Sequence, residues 1–102
     1  MQQAATLDPK RALLTTADGQ EHPLSDSECR LLLAFVRAEQ NRLENWQIAE
    51  ILDMDLDHFN KAALELHLVR LRKKIHTSSA APSAIRAIRG RGYQLSLPIQ
   101  LV

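Results

Sequence analysis

Eight cations crowd one stretch of this chain. Lys61, Arg70, Arg72, Lys73, Lys74, Arg86, Arg89 and Arg91 lie between positions 61 and 91, with Glu65 as the single acid among them. The remainder holds five bases (Lys10, Arg11, Arg30, Arg37 and Arg42) against eleven acids, so the formal net charge of +1 conceals one strongly cationic end. Such a density of guanidinium and ammonium groups suits one kind of chemistry. Each cation placed on a phosphate releases a condensed counterion, which draws the protein to a polyanion. An arginine such as Arg70 or Arg72 can also bind guanine O6 and N7 bidentately, roughly 1–3 kcal/mol of discrimination per good pair. A solvated charged face is the plainer reading, and the imbalance of eight bases to one acid weighs against it.

Other chemistry is poorly provided for. No nucleophile–base pair, phosphate-cradling glycine loop or carboxylate pair in an apolar setting occurs, so no enzymatic activity, catalytic residue or cofactor is expected. The single Cys29 excludes an intrachain disulfide and reads as a small buried hydrophobe. The four histidines are scattered, and no Cys/His cluster has metal-ligand spacing. Asp53, Asp55 and Asp57 alternate as in a calcium loop, but the glycine slot holds His58 and the bidentate-Glu slot holds Leu64. No metal is expected.

The cations need a scaffold to aim them. With 102 residues the chain is one domain, 1–102, and at 45% hydrophobic but only 4% aromatic it must fill its core with Leu, Ile, Val and Ala. No apolar run approaches the roughly 20 residues of a membrane span, and no basic-then-apolar leader opens the chain. The expectation is a soluble cytoplasmic protein with no membrane contact, free-standing or part of something longer.

From about 6 to 24 the pattern predicts three or four short antiparallel strands, punctuated by Asp8-Pro9 and by the hairpin signal Asp18-Gly19. Pro23 confines its strand to an edge. Ser25-Asp26-Ser27-Glu28 has the spacing of a capping box, opening a helix with Cys29, Leu32, Leu33 and Val36 inward and an end near Gln40-Asn41. A shorter helix fits 45–52, capped by Asn45 and burying Ile48, Ile51 and Leu52. A third fits 60–76. On it Leu64, Leu68, Leu71 and Ile75 fall within about 60° at 100° per residue, opposite Ala62, Leu66, Val69, Arg70 and Lys73. Strands at 85–89 and 93–97 join around Gly90-Arg91-Gly92, and Pro98 ends the last one.

Four segments together resemble the winged-helix effector domain of OmpR/PhoB-type transcription regulators. They are LDPKRALL, LSDSECRLL, LELHLVRLRKKI and IRAIRGRGYQL, and the last two carry most of the specificity. The resemblance spans Leu7 to Leu97. It implies an α+β winged helix-turn-helix: a four-stranded N-terminal antiparallel sheet, three helices, and a C-terminal β-hairpin wing. It further implies sequence-specific double-stranded DNA binding as the output domain of a bacterial transcription regulator, a two-component response regulator, with head-to-tail pairs on direct repeats. The third helix would enter the major groove and the wing the adjoining minor groove.

By position, the resemblance gives Arg70 and Arg72 as base and backbone contacts from the recognition helix, His67, Lys73 and Lys74 as phosphate neighbours, Arg89 as the minor-groove arginine and Tyr93 as the tyrosine after the wing glycines. Lys61, Arg86 and Arg91 complete the cationic set. Leu66 and Val69 face the same way and either meet thymine methyls or pack on the first helix. Tyr93 reads first as packing at the hairpin base. Gly90 and Gly92 would let the wing backbone approach phosphates. Ala62, Ala87 and Asn45 stand where the family usually has Arg, Thr and Arg. Asp53, Asp55, Asp57 and Phe59 fall in a loop that docks RNA polymerase in the family, against the plainer reading of a solvated acidic loop. Trp46 beside it is a packing residue or a partner contact. A different class of function, a winged-helix module docking on a partner protein rather than reading DNA, is the alternative.

Overall fold

The computed structural model describes residues 5–16, 19–54, 61–76, 85–96 and 98–102. Asp18, Asn60, Leu97, the loop 77–83, and Asp55, Asp57 and Phe59 of the expected polymerase contact lie outside them.

The first three strands are β1 (Ala5–Asp8), β2 (Leu13–Thr15) and β3 (Glu21–Pro23). Between β1 and β2 the Asp8 carboxylate accepts the backbone N–H groups of Lys10 and Arg11, at 3.1 and 3.3 Å. Gly19, at φ +88°, turns the chain into β3, and its N–H donates to the Thr16 carbonyl. The sheet order is β3-β2-β1 followed by β7 (Ile99–Leu101), so Pro23 does sit on an edge strand. The fourth strand corrects the expected N-terminal antiparallel sheet: it comes from the C-terminus and pairs parallel to β1, with Ala5 opposite Ile99 and Leu7 opposite Leu101. Pro98 leads into β7, a further strand beyond the expected hairpin, and its carbonyl accepts the N–H of Ala5.

Helix α1 (Asp26–Arg37) opens with the anticipated capping box: Glu28 N–H donates to Ser25 Oγ and Ser25 N–H to Glu28 Oε1. It ends at Arg37, earlier than expected, and a 3-10 turn at Glu39–Asn41 follows, in which Gln40 and Asn41 take positive φ. Its buried set is Cys29, Leu31, Leu32 and Phe35, while Leu33 and Val36 are only half-buried. The expected stripe was too narrow because α1 packs against α2 (Asn45–Ile51) and against strands β4 (Arg42–Glu44) and β6 (Gly92–Leu95) together. Helix α2 is capped from Glu44 rather than Asn45, with Glu44 N–H donating to Gln47 Oε1 at 2.8 Å. It buries Ile48 and Ala49, leaving Ile51 and Leu52 at its margin.

Helix α3 (Lys61–His76) buries Leu64, Leu68, Leu71 and Ile75, each no more than 1% exposed. At about 1.5–3 kcal/mol for each fully buried aliphatic side chain, this seam alone anchors the helix. The hairpin of β5 (Ile85–Ile88) and β6 is extended by β4 into a three-stranded sheet of order β4-β6-β5. Leu43 of β4 faces Tyr93 across that sheet. One core joins both sheets and all three helices.

Candidate nucleic-acid interface

Helix α3 is amphipathic in an unusual sense. Its inner seam is aliphatic, and its outer face carries exposed Lys61, Ala62, Glu65, Leu66, Val69, Arg70 and Lys73. His67, on its flank, is half-buried. Burying the Leu/Ile seam determines the rotation of the helix, and with it the direction of every cation on the far side. Leu66 and Val69 are therefore in solvent rather than packed on α1.

The wing contributes the second bank of charge. Arg86, Arg89 and Arg91 are all exposed, two of them in the turn where Arg91 N–H donates to the Ile88 carbonyl at 3.0 Å. Gly90 takes φ +75° at this turn, a conformation natural to glycine. Gly92 has a different role from the one its sequence setting suggested. A Cβ there would fall on the Leu43 carbonyl oxygen and 2.7 Å from Glu44 Cα, so this glycine lets β6 lie against β4. It is buried.

A cleft of about 150 Å³ lies between α3 and the wing, lined among others by Lys61, Glu65, Asn45, Ala87, Arg89 and Tyr93. Asn45 was legible only as a helix cap and as a departure from the family pattern. The structure puts it in this cleft, where its backbone N–H donates to the Arg91 carbonyl at 2.9 Å and ties the start of α2 to the wing tip. That contact runs through the backbone, so no side-chain signal in the sequence points to it.

Tyr93 is 7% exposed and packs as expected at the hairpin base. Burial raises its phenol above the ordinary range. Glu65 raises it further, and Arg72 opposes the shift. Arg72 is half-buried, and its Nε, shielded from solvent, has no hydrogen-bond partner among the described residues.

Lys74 has a partner within the domain. Its Nζ lies 2.6 Å from Glu28 Oε1 and 3.2 Å from the Pro23 carbonyl, clamping the end of α3 to the capped start of α1. Burial pushes the Glu28 carboxyl up, but hydrogen bonds from Lys74 and from the Ser25 N–H and hydroxyl outweigh it and hold the carboxyl below its ordinary value.

Of the four residues expected to contact polymerase only Asp53 is described. It is exposed, at φ +57°, and pairs at 3.1 Å with Arg30, which also holds Asp26 at 3.3 Å. Trp46 is 53% exposed, not a core residue. Its Nε1 donates to Glu44 at 2.7 Å, and it lines an open groove with Ala34, Leu43 and Ile51. Cys29 is a free buried thiol, raised above its ordinary value first by burial and then by Asp26 and Asp8. Among the described residues no group of three or more His, Cys, Asp or Glu gathers as a metal site, and no helix is long and apolar enough to cross a membrane.

Comparison with known proteins gives a consistent result. The family described as "Transcriptional regulatory protein, C terminal" matches residues 19–95. Transcriptional regulatory protein AfsQ1 of Streptomyces coelicolor is 30% identical over 90 residues, covering 87% of this chain and 40% of that protein. Regulatory protein VirG of Agrobacterium fabrum is 27% identical over 88 residues, 86% of this chain and 35% of its own length. The chain therefore spans less than half of these relatives. The solved DNA-binding domain of CpxR from E. coli matches with a TM-score of 0.73 at 25% identity, over 98% of this chain and 94% of that one. The DNA-binding domain of E. coli CadC also reaches 0.73, at 17% identity over 95% and 94%, a likeness of fold alone. An aliphatic-seamed helix with a cationic outer face, an arginine-bearing wing beside it, and a family match over most of the chain identify it as a member of the C-terminal, OmpR/PhoB-type winged-helix domains of transcriptional regulators, the DNA-binding output domains of those proteins.

Proposed function

We propose that this domain reads duplex DNA with α3 in the major groove while the β5–β6 wing lies along the adjoining minor groove. The observation that carries this reading is the joint placement of Lys61, Arg70 and Lys73 on the solvent face of α3 and of Arg89 and Arg91 at the wing turn, with the cleft between them. A helix about 10 Å across fits the roughly 12 Å major groove. Exposed arginines on a hairpin suit the more negative potential of a narrow minor groove. Arg70 is the base reader, and Lys61, Lys73, Arg86 and Arg91 are phosphate contacts. Two copies bind head-to-tail on direct repeats about one helical turn apart.

The domain serves as the output module of a cytoplasmic two-component response regulator, with Asp53, Asp55, Asp57 and Phe59 as a contact for RNA polymerase. Selection from a random duplex pool, followed by fluorescence anisotropy at two salt concentrations, tests the reading. Enrichment of a direct repeat, bound with a steep salt dependence, is the expected result. Salt-sensitive binding without enrichment would remove base readout. Affinity that stays flat with salt would favour the protein-docking alternative.

A further inference from the structure

Two exposed apolar patches on this molecule carry opposite charge at their rims. Trp46 is 53% exposed and walls an open groove of about 480 Å³, lined also by Ala34 of α1, Leu43 of β4 and Ile51 of α2. Its Nε1 donates to Glu44 at 2.7 Å, which fixes the indole at the edge of the groove, and Glu50 lines the same groove. Among the exposed residues of 26–53 the acids Asp26, Glu39, Glu44, Glu50 and Asp53 outnumber the bases Arg30, Arg37 and Arg42, and Arg30 is already paired with Asp26 and Asp53. The second patch is the outer strip of α3, where Leu66 is 48% and Val69 39% exposed. At 100° per residue Ala62, Val69, Arg70 and Lys73 all fall within about 60° of Leu66, so two cations border this strip. Glu65, the one acid of α3, lies about 100° from Leu66, on the flank that lines the cleft to the wing with Lys61 and Arg89.

The two patches cannot cover one another within a single molecule. The buried seam fixes α3 against the core and turns its strip outward, while the groove is built from α1, β4 and α2. Between molecules they are complementary. Both sides release water from apolar surface, Arg70 brings a guanidinium to the Trp46 ring, and Lys73 brings an ammonium to Glu50. An uncharged apolar partner would desolvate these carboxylates without pairing them, and a nucleic acid would meet a rim of its own sign. We infer that the Trp46 groove receives the Leu66–Val69 strip of a second copy of this chain. Each copy offers one groove and one strip, so the contact is heterologous and continues into a ring or an open chain. It differs from pairing on direct repeats because it covers α3. The contact stands independently of DNA reading; its consequence is that a duplex entered by α3 competes with the second copy for one face.

Sedimentation velocity on the protein without DNA tests this. The wild type should sediment faster as its concentration rises, and less so at high salt. Trp46→Ala removes the groove wall and Leu66→Ala the strip, and each should weaken self-association by roughly thirtyfold, the loss typical of an interface anchor. Both side chains are exposed, so each variant keeps its fold, and its unfolding midpoint verifies this. Mixed in equal amounts, the two variants should form a 1:1 dimer that grows no further, because the intact strip of Trp46→Ala fits the intact groove of Leu66→Ala. A wild type that stays monomeric up to about 1 mM would overturn the inference. So would association that survives either substitution, or a mixture that sediments no faster than its components. Duplex that binds the assembled protein without dissociating it would overturn the strip as the docked element.

Discussion

Replacing Lys74 by methionine removes the ammonium but keeps most of the side-chain stem, so it isolates the clamp between α3 and α1. In the native protein Glu28 Oε1 receives both Lys74 Nζ at 2.6 Å and the Ser25 N–H at 2.8 Å, and Lys74 also reaches the Pro23 carbonyl. Hydrogen bonds to charged groups contribute about 1.5–3 kcal/mol, whereas exposed ion pairs contribute about 0–1 kcal/mol. The Glu28 side chain is 15% exposed and that of Lys74 39%, so a value between the two applies, about 1–2 kcal/mol. For a domain of this size that corresponds to a fall of roughly 5–10 °C in Tm.

The difference should depend on pH in a defined direction. Because the folded Glu28 carboxyl lies below its ordinary value, its stabilisation is fully present above the unfolded-state pKa and fades as pH falls through the folded one. Wild type and Lys74→Met should therefore converge in acid. The second assay is the salt dependence of duplex binding. A lysine that contacts phosphate steepens the slope of log K against log salt by about 0.9, and its loss would flatten that slope. A lysine already held by Glu28 leaves it unchanged. Unaltered thermal stability together with a slope flattened by about 0.9 would refute the clamp and restore Lys74 to the phosphate contacts.

Arg70→Ala should weaken the selected duplex by roughly 1–3 kcal/mol more than a random one in anisotropy titrations, and an equal loss on both would reject base readout by Arg70. Gly92→Ala forces a Cβ into β4, so urea unfolding should show a loss of at least about 1–3 kcal/mol; Gly90→Ala meets no neighbour and should cost less, mainly through its positive φ. Cys29, buried and with its thiol raised above the ordinary value, should react with a thiol reagent in native protein far more slowly than in urea. Rapid labelling of the native protein would mean that the α1 seam opens readily.

The parts of this molecule written in local pattern were legible from the chain. The seam Leu64, Leu68, Leu71, Ile75 and its polar reverse follow from a period of 3.6, and the Ser25–Glu28 box from a spacing of three. Both depend on neighbours within a few residues, as does the positive-φ turn at Gly90. The motif pair LVRLRKKI and IRGRGYQL pointed to the family through residue types alone. What escaped was short or distant. Strands β4 and β7 have three residues each and, unlike β2 and β3 of the same length, no hairpin signal such as Asp18-Gly19 to mark them. Strand β7 exists because β1 offers it a parallel edge nearly the whole chain away.

The sequence by itself determined which residues are cationic, which helix face is apolar, and hence that a charged surface would form on the far side of α3. Only the tertiary structure decided how each of those cations is employed. Lys74 and Glu28 are separated by 46 positions, yet packing brings them to 2.6 Å and makes a clamp between α3 and α1. Arg72 is half-buried while Arg70, two residues away, stays in solvent, because 200° of helical rotation puts them on different flanks of α3. Gly92 is required by β4, which local pattern does not reveal and which passes directly over it. Side-chain chemistry is a property of the residue, but its partner is a property of the fold, and burial and long-range contact decide between the partners that chemistry allows.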